Sequence, residues 1–385
     1  MVGLIDDEQA EPLEDLFDGF TSADPQDVFR RLDPDLYYPT YGDDSRVWRD
    51  VDTMGRFYLR ADWEISDTAQ AAVALGGGHG LFATLSALRR LHDDLTIDDL
   101  TAVVTVADNG GSSGRLRGEF GVLPPGDLRM ALAALCGDDE WGRTWADVIQ
   151  HRFAGQGEMN GHVIGNLLIV GLWELMGDHV RALDWVGRLL GAHGRVLPMA
   201  TTPMDITARV RGADPAAPDG VTVVRGQVEV ATTDGRIESV ALVPEDPQAC
   251  PEAVDAILAA EWVVLGPGSW FSSVIPHLMV PGLRRALAET QGRLVVVLNL
   301  EAQAGETTGF APADHLAALF EHAPDLTVHA VLVDSSALAD DHARLEKDVA
   351  DRGARLVVAD IAVPGEPRHD PDRLAEAFRR IVEEV

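Results

Sequence analysis

Cysteine is scarce in this chain. Two occur in 385 residues, Cys136 and Cys250, far apart in sequence. They form no CxxC and no Cys/His spacing, which excludes a cysteine-based zinc site or a disulfide framework and suits a reducing compartment. Lysine is scarcer still: Lys347 is the sole one, so Arg carries almost all positive charge. That charge is outweighed, with 63 Asp and Glu against 31 Lys and Arg and a formal net charge of -32. Such a balance excludes coating nucleic acid or an anionic membrane, both of which require basic surface. It does not exclude a small anion held by a local nest of backbone N–H groups and a few Arg. No run approaches roughly eighteen consecutive apolar residues, so no membrane insertion is expected. No basic segment followed by an apolar run marks a secretory leader, and a cytoplasmic protein is the expectation. Also missing are a GxSxG nucleophile elbow, a Walker A Lys-Ser/Thr and a strict GxGxxG.

What is present is a pair of glycine-rich turns, each ending an apolar run. Ala71–Leu75 reads as a buried parallel strand that stops in Gly76, Gly77, Gly78, His79 and Gly80. Leu81, Leu85, Leu88 and Leu91 then recur at helical spacing. Thr101–Ala107 is the next strand, ended by Asp108, Asn109, Gly110, Gly111, Ser112, Ser113, Gly114 and Arg115. Such turns let backbone N–H groups approach a phosphate at the positive end of a helix. A carboxylate just past a strand's carboxyl end, here Asp108, faces the ligand crevice of a doubly wound sheet. Arg115 supplies fixed charge suited to bidentate phosphate contacts. His79 either touches a ligand or caps the helix.

Further blocks follow. In Leu123-Pro124-Pro125-Gly126-Asp127-Leu128-Arg129 the prolines disfavour helix before Gly126. Asp127 either caps the next helix or, with Arg129, faces the ligand. Gly161-His162-Val163-Ile164-Gly165-Asn166 opens an apolar helix, with His162 and Asn166 about one turn apart near its positive end. Strands are read at 221–224, 227–232 and 237–243, with Thr233–Arg236 as a hairpin turn. They make a small antiparallel β excursion over 206–244. A third glycine-and-hydroxyl turn, Gly266-Pro267-Gly268-Ser269-Trp270-Phe271-Ser272-Ser273, ends a strand at 261–265. Strands at 294–298, 328–333 and 354–359 complete the pattern, and a packing helix closes it from Pro371. The fold class expected is α/β: a three-layer, Rossmann-like, mostly parallel sheet with helices on both faces, plus a helical segment near 141–190.

GGGHGL, VTVADNGGSSGRLR, GVLPPGDLR, GHVIGNLL, GRVLP and LGPGS with SVIP occur in order over roughly residues 71–330. Together they resemble the YvcK group of the CofD-like superfamily, the gluconeogenesis factors. The CofD enzymes proper are 2-phospholactate transferases acting on a deazaflavin precursor, and they lack the GGSSGRLR and LPPGD blocks. The resemblance implies a regulatory protein that binds UDP-N-acetylglucosamine or a related nucleotide sugar, linked to cell shape, wall synthesis and gluconeogenic growth. It implies no required cofactor, and it extends the cleft to Asn299 and Glu306 in NLxxQxGET. NAD is a second candidate ligand, and a homodimer with an unidentified protein partner is expected. His79 stands where the group's commoner residue is Thr. Asn109 stands where it is Asp, which weakens a divalent-metal site there.

On this reading the two glycine loops hold a diphosphate with Arg115 as counter-charge, Asp108 and Asn109 meet ribose or sugar hydroxyls, and Gly266–Ser273 with Asn299 closes the cleft. The alternative is a phospholactyl-type transferase, which would use magnesium. Residues 1–70 differ: 18 acidic and 6 basic residues with scattered aromatics suggest an acidic extension, partly ordered, either packed on the main domain or docking a partner.

Overall fold

The computed structural model describes residues 70–384 except 95, 215, 218, 339 and 340. The acidic extension therefore lies outside the described residues, apart from Gln70. In chain order the strands are β1 (Ala71–Gly76), β2 (Asp99–Val104), β3 (Arg195–Pro198), β4 (Asp205–Arg211), β5 (Val221–Arg225), β6 (Arg236–Val243), β7 (Trp262–Leu265), β8 (Arg293–Val297), β9 (Ala330–Asp334) and β10 (Arg355–Ala359). The helices are α1 (Gly78–Asp93), α2 (Gly111–Phe120), α3 (Gly126–Ala134), α4 (Glu140–Gln150), α5 (Ile164–Met176), α6 (His179–Leu190), α7 (Gln227–Ala231), α8 (Pro251–Ala259), α9 (Ile275–Met279), α10 (Pro281–Glu289), α11 (Pro312–His322), α12 (His342–Ala350) and α13 (Pro371–Glu384).

Seven strands form one parallel sheet in the order β10-β9-β8-β7-β1-β2-β3. Short runs such as Ala72–Leu75 and Trp262–Leu265 are buried along their whole length, as a sheet covered on both faces requires. The chain steps from β1 to β3 in one direction and from β7 to β10 in the other. Right-handed crossovers then place the connecting helices on opposite faces. α1 packs on α3 and α13, and α8 packs on α10. The direction reverses between β1 and β7, which pair from Ala72↔Trp262 to Leu75↔Leu265. That is the topological switch point, where the carboxyl ends of neighbouring strands diverge and leave a crevice.

The antiparallel excursion is a three-stranded sheet, β5-β4-β6, with a bulge between Arg209 and Val210. β4 alternates buried and less buried positions, as a one-sided sheet should. One expected strand is not there. Residues 227–232, read as a strand from alternating Val228 and Val230, hold helix α7 instead. Gly226 turns the chain at φ +110°, and a single helical turn buries Val230 while bringing Val228 and Glu229 onto the loop after β2. Thr233–Arg236 accordingly joins a helix to β6 and is not a hairpin turn. Local alternation lost to tertiary contact.

Candidate functional site

Three glycine turns meet at the switch point. α1 starts after Gly77, and its first residue, Gly78, has φ +57° with nothing within 4 Å of where a Cβ would stand. α2 starts after Gly110, and Gly111 repeats the arrangement at φ +50°. Both first residues need the left-handed region, which favours glycine, and both border open space. Gly80 is needed for another reason: a Cβ there would lie 2.2 Å from the Pro267 carbonyl oxygen. The turns after β1 and β7 therefore touch backbone to backbone. Thr84 Oγ1 donates to the Gly266 carbonyl at 3.1 Å and fixes α1 against the β7 turn.

The N-cap residues of α1 and α2 are glycines and carry no capping oxygen. α4 and α6 differ, because Asp139 accepts from Gly142 N at 2.7 Å and Asp178 from Arg181 N at 3.0 Å. A helix start whose N-cap residue brings no side-chain oxygen keeps N–H donors and a positive dipole end for an anion.

Two carboxylates stand beside these turns. Asp108 Oδ1 accepts from Gly110 N at 2.8 Å. Asp127 does not cap its own helix: Pro125 occupies that position, and Asp127 Oδ1 accepts from Gly78 N, on α1, at 3.2 Å. Its Oδ2 is buried with no partner. Burial first, and then the charge of Asp108, pushes the Asp127 carboxyl up to about 7, against the opposing pull of the Gly78 N–H and Arg129. Burial also raises Asp108. Arg129 is lowered by burial and by Arg152, while both carboxylates favour its charge.

Arg129 Nε, Thr105 Oγ1 and Asn166 Oδ1 are also buried and unpartnered. A Cβ on Gly77 would meet Thr105 Cγ2 at 2.4 Å and Asp127 Oδ2 at 3.1 Å, so Thr105 and Asp127 crowd one spot at the ends of β1 and β2. Buried polar atoms are nearly always bonded, and a cluster of exceptions marks a place where a ligand supplies the partner.

Other expected site residues are engaged with one another. Ser112 Oγ accepts from Val163 N and Asn166 Nδ2, each at 3.2 Å, and meets His162 Nδ1 at 3.2 Å. Burial and Arg115 lower the His162 pKa, which favours the neutral ring. This knot ties α2 to α5. Ser113 Oγ accepts from Gly126 N at 3.0 Å and ties α2 to α3.

Arg115, expected as the counter-charge, is exposed and donates to the carbonyls of Glu158 at 3.1 Å and Asn160 at 2.9 Å. It braces the loop before α5. Asn109, expected to meet a sugar, donates to Glu229 Oε2 at 2.7 Å and accepts from Val228 N at 3.0 Å, docking α7. Asn299 clamps Gly268, accepting from its N–H at 2.9 Å and donating to its carbonyl at 2.8 Å. Glu306 is buried and accepts from Phe271 N, Ser272 N and Ser272 Oγ. The Ser269 carbonyl accepts from Ser273 N at 2.8 Å. These groups hold the third turn in shape. His79 is exposed on the first turn of α1.

Sequence reading missed Thr84, Thr105 and Glu229. Thr105 lay inside an expected strand and Glu229 inside a segment read as another. No local pattern marks either.

Comparison with known proteins follows the same geometry. Residues 72–367 match the family model described as 2-phospho-L-lactate transferase CofD. A Mycobacterium tuberculosis protein provisionally named gluconeogenesis factor is 54% identical over 305 residues, which is 79% of this chain and 87% of that one. A Halalkalibacterium halodurans protein named gluconeogenesis factor is 36% identical over 268 residues, covering 70% of this chain and 78% of that one. A crystal structure of a UPF0052-family protein from Bacillus halodurans superposes with a TM-score of 0.71 at 31% identity, covering 81% of this chain and 99% of that chain. The chain belongs to the CofD family, and within it to the YvcK group of gluconeogenesis factors.

Proposed function

We propose that this gluconeogenesis factor is a regulatory protein that binds a nucleotide sugar of the UDP-N-acetylglucosamine kind. The observation that carries the reading is the convergence on the switch point of two helices whose N-cap residues are glycines, beside buried polar atoms without partners. In this reading the diphosphate lies on the starts of α1 and α2, with Arg129 in the counter-charge role that Arg115 does not fill. Thr105, Asn166 and the free Asp127 oxygen take sugar or ribose hydroxyls. The ligand's occupancy reports the supply of wall precursors, which links the site to cell shape and to growth on gluconeogenic carbon. NAD competes for the same crevice with lower affinity.

A second reading has one observation in its favour. The charge of Asp108 raises the cost of ionising Asp127, and Asp127 Oδ2 is unpartnered. Two hard oxygen donors fit a magnesium ion, which would neutralise a diphosphate during transfer of a phospholactyl group to a deazaflavin acceptor. The chain's own part in that reaction would be to bind the diphosphate and orient its acceptor.

One experiment separates the two. The full chain is titrated calorimetrically with UDP-N-acetylglucosamine, NAD and guanosine diphosphate, with and without magnesium, at pH 6 and 8. In the first reading UDP-N-acetylglucosamine binds tightest without metal. Its affinity then falls as pH rises through about 7, because Asp127 gains a negative charge beside the diphosphate. Binding that requires magnesium, or transfer to a deazaflavin acceptor, overturns the first reading.

A further inference from the structure

At the opposite edge of the sheet, two histidines and an aspartate from distant parts of the chain come together. His92 and Asp93 end α1, and His193 lies just before β3. His193 Nδ1 stands 2.7 Å and His92 Nδ1 3.8 Å from the same oxygen, Asp93 Oδ1. One donor atom from each residue can be chosen so that all three lie within 4.8 Å of one another. A tetrahedral zinc ion with ligands at about 2.0–2.1 Å holds its donors roughly 3.3 Å apart, so only small side-chain shifts separate this triad from a ligand set.

The surroundings suit that role. Asp93 Oδ2 accepts from Arg89 Nη1 at 3.3 Å, and Arg89 also bonds Asp138 at 2.7 Å. The carboxylate is thereby oriented with Oδ1 toward the imidazoles, as outer-shell partners orient metal ligands. The side chains of His92, Asp93 and His193 are 23%, 36% and 40% exposed, which leaves an entry path and room for water as a fourth ligand. Two imidazoles and one carboxylate select a borderline ion of the zinc class over magnesium or calcium.

We propose that His92, Asp93 and His193 form a binding site for a zinc-class divalent ion. The site is structural: it joins the end of α1 to the start of β3, away from the glycine turns. It is independent of the nucleotide-sugar reading, since none of its residues contributes to that crevice.

The test uses chelator-treated full-length protein and zinc chloride alone, with cobalt as a spectroscopic substitute. The expected result is one zinc per chain at roughly micromolar affinity or tighter, with visible cobalt bands of a four-coordinate nitrogen and oxygen site. His193→Ala and Asp93→Asn should each weaken zinc binding by about a hundredfold or more, at or above the top of the range for losing an outer-shell partner. Zinc should raise the melting temperature of the parent and not of the variants, while UDP-N-acetylglucosamine binding stays unchanged by zinc. The His193 side chain is 40% exposed and outside the core, so the metal-free variant should melt with the metal-free parent, showing that the fold is intact. Absence of stoichiometric zinc overturns the proposal. So does zinc binding that is undiminished in both variants, which would place the ion on others of the chain's 12 histidines.

Discussion

The two edges of the parallel sheet handle polar groups in opposite ways. At the amino edge, around the end of α1 and the start of β3, charges are paired. Arg89 bonds Asp93 and Asp138, Arg90 bonds Asp372, Arg379 bonds Asp94 and Arg195 bonds Asp184. At the carboxyl edge, glycines replace capping residues, two carboxylates crowd each other, and Asp127, Arg129, Thr105 and Asn166 each keep a buried atom without a partner. Exposed pairs of the first kind contribute about 0–1 kcal/mol each. Unmade bonds of the second kind cost about 1–3 kcal/mol each. In the nucleotide-sugar reading, bound ligand offsets that cost at the carboxyl edge by supplying the missing partners.

Substitutions can break this contrast or sharpen it. The largest effect should come from Gly80→Ala. The added Cβ meets the Pro267 carbonyl at 2.2 Å, so the β1 and β7 turns must separate. A stability loss of about 3 kcal/mol or more in urea unfolding is expected, with loss of nucleotide-sugar binding. A stable, binding-competent variant would show that the turns do not depend on their contact.

Asp127→Asn should do the reverse to stability. The raised carboxyl keeps its proton up to about pH 7 in the folded chain and loses it near pH 4 when unfolded. Stability from this group is therefore fully present below pH 4 and is lost as pH rises to about 7. Asn can keep the bond from Gly78 without the charge. The variant should gain on the order of 2–4 kcal/mol over the parent at pH 8, shrinking toward pH 4. A pH-independent difference would remove Asp127 as the strained group.

Arg129→Gln should weaken diphosphate binding by about 1.5–3 kcal/mol, the range for a charge-assisted bond. Arg115→Ala should cost about 1 kcal/mol or less in the same titration, since its guanidinium is held by the Glu158 and Asn160 carbonyls. Equal losses would mean that the Arg115 loop is itself part of the binding surface. Smallest of all, Arg90→Ala at the amino edge should change stability by about 0–1 kcal/mol and less in high salt. A larger loss there would erase the contrast between the edges.

Much of the carboxyl edge was legible beforehand. The turns after β1, β2 and β7 announce themselves because an apolar run ended by glycine is a backbone constraint, and backbone constraints are local. Asp127 and Arg129 were marked for the same reason, by lying just past a Pro-Pro-Gly break. Which partner each side chain takes was not legible. Asn109 pairs with Glu229 across 120 positions, and Asp127 pairs with Gly78 across 49. Segment 227–231 misled because alternating valines fit a strand as well as one helical turn, and docking on Asn109 decided between them.

The sequence by itself determined the parallel α/β fold, its family, and the places where the chain must turn sharply. Those follow from periodicity, burial and the left-handed conformations that glycine favours. Only the tertiary structure decided that Arg115 and Asn109 brace loops, that Asp127 caps a neighbouring helix with one oxygen left over, and that His92 and Asp93 meet His193. Hydrogen bonds and ligand sets depend on distances between segments, and no spacing within one segment encodes those distances.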